Sequence, residues 1–272
     1  MPYKNKMDMH IHSDNSPDGA HSVILMCEYA MRSQLRAVAF TDHCEVDAYE
    51  KGRFDRSIRQ SFFEAHKGRA AFEGRMIVLA GLELGQPLRD PLKAAMVVQS
   101  EKFDMILSSV HGLPPWGDFF YMDFTGNPEL SEQLLDAYYK EIYEMVKWGN
   151  FDALAHLNYP LRYIEGRDGV SVDMNRFDDV MQEILRLAAG QGKALEINMS
   201  NYRNGIEKTD PSPELIKRFR QLGGEFVTVG SDAHRGGDIC LGVEDGMKAA
   251  FEAGFRKQTF FRGRNPVQIS IV

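Results

Sequence analysis

Short apolar runs alternate along the chain with longer segments whose apolar residues recur every three or four positions. Seven runs have strand length: Lys6–His12, Ala37–His43, Met76–Gly85, Phe103–His111, Asp152–His156, Ala194–Ser200 and Glu225–Asp232. Each is rich in Val, Ile, Leu, Met or Phe. Residues 20–35, 129–148, 175–190, 213–223 and 244–254 between or after them are predicted as helices. The clearest is 129–148, where Leu130, Leu134, Leu135, Tyr138, Ile142, Met145 and Val146 form one stripe. Pro211 and Pro213 mark a helix start, and Gly223-Gly224 mark its end. A short strand near Gln258–Phe261 follows the last helix. Strand then helix, seven times over, predicts parallel βαβ units. No linker or shift of composition divides residues 1–272, so they read as one domain. An open sheet and a closed barrel both fit. No Gly-x-Gly-x-x-Gly follows the first run, so a dinucleotide fold lacks its signature. The longest irregular stretch is 112–128, long enough to be functional or mobile.

The polar residues fall at the ends of the runs. His10 and His12 close the first, His43 the second, Glu83 the third, His111 the fourth and His156 the fifth. Glu196 and Asn198 lie in the sixth, and Asp232 and His234 close the seventh. In parallel α/β folds these ends share one rim, where active sites form. Six of the eight histidines are therefore expected on that rim. His21 and His66 are expected on helices. Strand alternation puts the His10 and His12 rings on one face, where both can share a metal. Glu83 stands in an otherwise apolar run, and a buried carboxylate is costly without a partner. Imidazoles and carboxylates together are donors for zinc, manganese or iron.

Composition narrows the function. The chain has 272 residues, 43% hydrophobic and 26% charged, which is ordinary for a globular protein. Its net charge of -7 disfavours a broad nucleic-acid footprint. Cys27, Cys44 and Cys240 are scattered and odd in number, which suggests a reducing compartment rather than a disulfide framework. Of these only Cys44, beside His43, is placed as a ligand alternative, and packing is the better reading. No run approaches a membrane span, and Met1 to Met9 lacks the apolar core of a signal peptide. A cytoplasmic protein without membrane attachment is expected.

The set His10-x-His12, Thr41-Asp42-His43, Gly81-Leu82-Glu83, Ser109-Val110-His111, Ala155-His156 and Ser231-Asp232-Ala233-His234 resembles the PHP metallohydrolases, closest to their histidinol-phosphate phosphatase branch. The resemblance runs from Asp8 to the Asn265-Pro266 stretch. It implies a distorted (β/α)7 barrel holding two to three divalent ions of zinc, manganese or iron. By motif, His10, His12, Glu83 and Asp232 would hold the first ion. Bridging Glu83, His111 and His156 would hold the second, and His43, His234 and Asp18 the third. Asp18 also reads as a simple Pro-Asp-Gly turn. Arg162 and Arg203 resemble the phosphate-binding arginines of that branch, with Arg235 a third choice.

The substrate implied is a small phosphorylated metabolite, histidinol phosphate first. Glu83, Asp232 and Asp18 leave a three-ion site about two positive after one hydroxide is counted, which suits a phosphomonoester dianion. In-line attack by a hydroxide shared between metals is the expected chemistry, with Asp232 and Asp42 orienting the water or a ligand ring. Trp116, Phe119, Phe120 and Tyr121 are expected either to cover the substrate or to anchor their loop. Three rivals remain on sequence alone. One is a phosphoesterase acting on a diester, nucleotide or phosphotyrosine. One is an amidohydrolase acting on C–N bonds, although no lysine closes a middle strand. The last is a silent metal-binding module.

Overall fold

Seven parallel strands, each followed by a helix, wrap into a nearly closed barrel in the computed structural model, which describes residues 3–272. The N-terminal reading at Met1 and Pro2 lies outside the described residues. The strands are β1 (Met7–Ile11), β2 (Ala37–Phe40), β3 (His43–Glu45), β4 (Ile77–Gly85), β5 (Met105–Ser109), β6 (Gly112–Leu113), β7 (Gly117–Asp118), β8 (Ala153–Leu154), β9 (Ala194–Asn198), β10 (Val227–Gly230), β11 (Lys257–Arg262) and β12 (Asn265–Ser270). The helices are α1 (Val23–Arg32), α2 (Phe54–Ala71), α3 (Pro91–Ser100), α4 (Pro128–Trp148), α5 (Asp178–Gly190), α6 (Pro213–Gln221) and α7 (Val243–Glu252). The barrel path runs β1-β2-β4-β5-β8-β9-β10. It closes where Asp232 N–H donates to His10 O and His12 N–H donates to Ala233 O, both at 2.8 Å. No described helix is long and apolar enough to cross a membrane.

Local chemistry sets these elements. Helix α4 starts where the Asn127 side chain accepts from Leu130 N–H and Pro128 takes the first turn, and it stops at Gly149, whose φ is +68°. Its buried face includes Leu134, Tyr138, Ile142 and Met145. Ser212 caps α6, with Pro213 in its first turn.

A register shift in β1 aims the histidines. Asp8 pairs with Val38 and Ile11 with Phe40, so β1 carries one residue more than β2 over that span. Met7 and Met9 pack with Ala37, Leu79, Met105 and Phe260 in the barrel interior, but Ile11 packs outside with Val23 and Ala233. Parity reverses across the bulge, so His10 and His12 follow Met9 on the inner face. Interior residues therefore run from an apolar base closed by Phe260 and Phe261 to a polar rim.

The sequence expectations differ from the fold in four places. The run Ala37–His43 is two strands, because the chain turns at Thr41-Asp42 and His43 opens β3 beside β4. Helices α2 and α3 lie between predicted runs. Helix α2 enters through Arg53 at a left-handed φ of 55° with no side-chain cap, so it lacks a start signal. Strand β12 contains Pro266, which argues against a strand except at an edge, where it lies. His21 precedes α1 rather than lying in it, and its Nδ1 accepts from Gly236 N–H at 2.9 Å. His66 is exposed on α2.

Candidate metal centre

The barrel rim gathers all six run-end histidines around Glu83. Its Oε1 lies 2.8 Å from His156 Nε2 and 3.0 Å from His111 Nε2. Its Oε2 lies 3.2 Å from His10 Nε2, 3.0 Å from His43 Nδ1 and 3.6 Å from His12 Nε2. Asp232 Oδ1 is 3.4 Å from His12 Nε2. Asp18 enters from the loop after β1, its carboxylate 3.1 Å from His234 Nε2 and 3.7 Å from His43 Nε2. Three overlapping donor groups result: His10, His12 and Glu83; His43, Glu83 and His111; and His12, His43 and His234. His156 stands within 3.4 Å of His111, ring nitrogen to ring nitrogen.

Four rings are held from behind. His10 Nδ1 meets Glu196 at 2.6 Å, and His111 Nδ1 meets Glu45 at 2.9 Å. His12 Nδ1 meets Ser16 Oγ at 3.2 Å, and His234 Nδ1 meets the Asp232 carbonyl at 2.8 Å. Each outer acceptor takes the Nδ1 proton and leaves the Nε2 lone pair facing inward. Those lone pairs confront carboxylate oxygens, acceptor against acceptor. His12 Nε2 is buried with no hydrogen-bond partner among the described residues. Only protons or cations in the centre make such an arrangement favourable, and imidazoles with carboxylates are the donor set of a divalent ion.

The electrostatics agree. Burial pushes His10 downward, but Glu196, Glu83 and Asp232 outweigh it and hold the ring well above its ordinary value. Burial likewise opposes His43, and Glu83 still raises it to about 9. The surrounding imidazoles overcome burial at Glu83 and hold its carboxyl well below the usual range. His12 moves the opposite way, pushed down by burial and by His234 and His43. The site calls for positive charge at its centre, and divalent ions fit it.

Several residues orient the rim. Gly230 leaves room for the His10–Glu196 pair, since a Cβ there would stand 2.4 Å from His10 Cβ. Asp232 takes a left-handed φ of 56°, which Asp tolerates better than most residues. Asp42 does not reach the cluster. Its carboxylate accepts from Ser13 N–H at 2.6 Å, Ser13 Oγ at 2.7 Å, Ser16 Oγ at 2.8 Å and Ser61 Oγ. Of the two roles expected of Asp42, orienting the water or a ligand ring, its contacts support the second, and indirectly: it fixes Ser16, which holds His12. Cys44 packs outward in the core with a free thiol that burial pushes up.

A cavity of about 1220 Å³ opens over the cluster. Arg162 follows β8 in a wide π-type turn, where Asp168 N–H bonds back to Tyr163 O. Its guanidinium stacks on Tyr159 and reaches Asp232 Oδ2 at 3.2 Å. Arg203 donates to the Asp232 carbonyl, stands 3.3 Å from His234 Nδ1 and lies 3.8 Å from Asp232 Oδ2. Arg235 pairs with Asp238 and is largely exposed. The aromatic loop divides: Phe119 is buried against Tyr138, whereas Phe120 and Tyr121 stay exposed along the cavity.

Sequence reasoning gave Glu196 no role and passed over Glu45. Glu45 sits in a stretch that reads as loop. Its signal was His43-Cys44-Glu45, alternating like a strand with both polar residues on one face.

Comparison with known proteins places this arrangement. A histidinol-phosphatase of Lactococcus lactis is 29% identical over 267 residues, covering 95% of each chain. A protein described as a probable histidinol-phosphatase of Thermotoga maritima is 27% identical over 249 residues, covering 89% of this chain and 90% of its own. The crystal structure of the Lactococcus lactis histidinol phosphate phosphatase, complexed with zinc, L-histidinol and phosphate, superposes with a TM-score of 0.79 at 25% identity over 97% of this chain and 99% of that one. The PHP domain family matches residues 8–200, most of the chain, and with that match this chain belongs to the PHP domain family.

Proposed function

We propose that this chain is a metal-dependent histidinol-phosphatase, cleaving histidinol phosphate to histidinol and phosphate. The observation that carries the reading is a rim of inward-facing imidazole nitrogens and carboxylates flanked by two arginines on Asp232. His10, His12, Glu83 and Asp232 would hold one divalent ion, Glu83, His111 and His156 a second, and His43, His234 and Asp18 a third. Zinc, manganese or iron there supplies Lewis acidity and positive charge at the phosphoryl group.

The chain's own residues do the rest. Arg162 and Arg203 converge on Asp232 from two turns and offer guanidinium donors to phosphate oxygens. Glu196, Glu45 and Ser16 hold the ligand rings in the tautomer that points Nε2 inward. The cavity is electrically two-ended. The arginines occupy the Asp232–His234 side, and Asp118 lies on the His111 side, where β7 pairs it with Gly112. Asp118 has no ion-pair partner among the described residues, and its Oδ1 accepts only Phe120 N–H. A phosphate at one end and a protonated amine at the other complement those poles. Phe120 and Tyr121 offer faces to an imidazole. An amidohydrolase reading finds little support: Lys51, the cavity's lysine among the described residues, is exposed in the turn before α2. The three free cysteines support a reducing, cytoplasmic setting.

Phosphate release from histidinol phosphate and from p-nitrophenyl phosphate tests the proposal, with zinc or manganese present and after chelation. Metal-dependent turnover favouring histidinol phosphate is expected. A fully metal-loaded protein releasing phosphate from neither ester would overturn it.

A further inference from the structure

Strand β3 has only three residues, yet two of them face the cluster. In register with β4, His43 stands opposite Glu83 and Glu45 opposite Gly85, while Cys44 turns outward into the core. Glu45 Oε1 lies 2.9 Å from His111 Nδ1 and 3.5 Å from His43 Nδ1. One carboxylate oxygen thus touches both histidines of one donor group, His43 and His111 with Glu83. Its other oxygen, Oε2, is buried without a hydrogen-bond partner among the described residues. It packs over Gly85, where a Cβ would stand 2.0 Å from Oε2. The strand pairing and the missing side chain at Gly85 together fix where this carboxylate sits.

We infer that Glu45, seated on Gly85, is a positioning residue that holds the His111 and His43 end of the cluster for its metal. The inference rests on the metal-binding reading above. Glu196 does the corresponding work at the opposite end, on His10 Nδ1 and on the His156 backbone N–H at 2.7 Å. Two carboxylates outside the ligand set therefore back two ends of one row of ligands. Orientation by an outer carboxylate keeps the His111 Nε2 lone pair inward and makes the ring a stronger donor. Losing Glu45 should loosen the ion at its own end and spare the one at the His10 end.

The test measures zinc per chain at buffered free zinc, beside thermal melts in chelator. Wild type, Glu45→Ala, Glu45→Gln, Gly85→Ala and Glu196→Ala are compared. At free zinc that just fills the wild type, E45A should carry one ion fewer, the site at the Glu45 end loosened about 10–100-fold. E45Q keeps an acceptor for the His111 Nδ1 proton and should fall between. G85A should resemble E45A although every ligand and carboxylate remains, because the added methyl displaces Glu45. Excess zinc should restore phosphate release to E45A. Wild-type zinc affinity in E45A would overturn the inference. So would a chelator-state melting loss in E45A with zinc affinity unchanged, which marks a purely structural role. If E45A does not fold, full loading in both E45Q and G85A is decisive against it. A wild type that takes up no divalent ion sinks the underlying reading instead, and that result is separable from all the others.

Discussion

Arg162 and Arg203 both reach Asp232, but through different contacts, and that separates their expected phenotypes. Arg162 touches only the Asp232 carboxylate within the cluster and is stacked on Tyr159. Arg162→Ala should raise KM for a phosphomonoester at least tenfold, about 1.4 kcal/mol or more, with zinc content unchanged. Arg162→Lys should recover little, because a forked, stacked donor is replaced by a point charge. Arg203 also holds the Asp232 carbonyl and lies against His234. Arg203→Ala should therefore lose zinc as well as phosphate affinity, and equal zinc content in the two variants would count against this division. Asp118→Asn keeps an acceptor for Phe120 N–H and removes the charge. It should raise KM for histidinol phosphate while leaving p-nitrophenyl phosphate within about twofold, a split small enough to be read from paired kinetics. At this scale the gathering of six histidines around Glu83 was legible because each is a polar residue at the end of an apolar run, whereas Asp18, in the loop after β1, was placed by family resemblance. Glu45 and Ser16 were not legible, since what they do depends on a ring brought in by the fold or on a turn no periodicity marks.

At the scale of elements, two devices aim the site: the bulge in β1 and the turn after β8. Sequence alternation placed His10 and His12 on one face, but nothing in it showed that Met9 shares that face across the bulge. The seven-strand rhythm was readable because parallel strands buried on both sides must be apolar. The hairpin β6–β7 inside residues 112–128 was not, being two-residue strands on either side of Pro114-Pro115. Arg167, at the end of the π-type turn that begins with Arg162, donates to the carbonyls of Phe120 and Met122. Its neighbour Asp168 accepts Phe124 N–H at 2.9 Å. The same short element thus carries Arg162, which reaches Asp232, and pins the aromatic loop. Arg167→Ala should free that loop without touching a ligand. Cleavage between residues 119 and 124 by a dilute protease should quicken severalfold, zinc content should hold, and kcat/KM for histidinol phosphate should fall. An unchanged cleavage rate would show that Asp168 and the buried Phe119 and Phe124 hold the loop without Arg167.

For the whole molecule, the rim concentrates buried charge whose stability depends on pH, and one group away from the ligands isolates that dependence. Asp210 ties the loop before α6 back to the barrel. Its backbone exchanges hydrogen bonds with Asn198 at 2.7 and 3.0 Å, and its carboxyl accepts from Asn158 N–H and Nδ2. Burial pushes that carboxyl up to about 7 from 3.8, and Arg162 and Asn158 pull it back only in part. Between about pH 4 and 7 the unfolded chain has released this proton while the folded chain still holds it. The unfolded state then binds fewer protons, so the Asp210 contribution to stability declines as pH rises through that window and is constant above it. Asp210→Asn removes the titration and leaves every rim histidine in place. Urea unfolding of both proteins in chelator, at several pH values, cancels the shared histidine titrations. The stability of D210N relative to wild type should climb by up to about 4 kcal/mol from pH 4 to 7 and then level off. A constant offset across that range would mean that Asp210 ionises in the fold as it does in water, with the Asn158 amide and Arg162 repaying its burial in full.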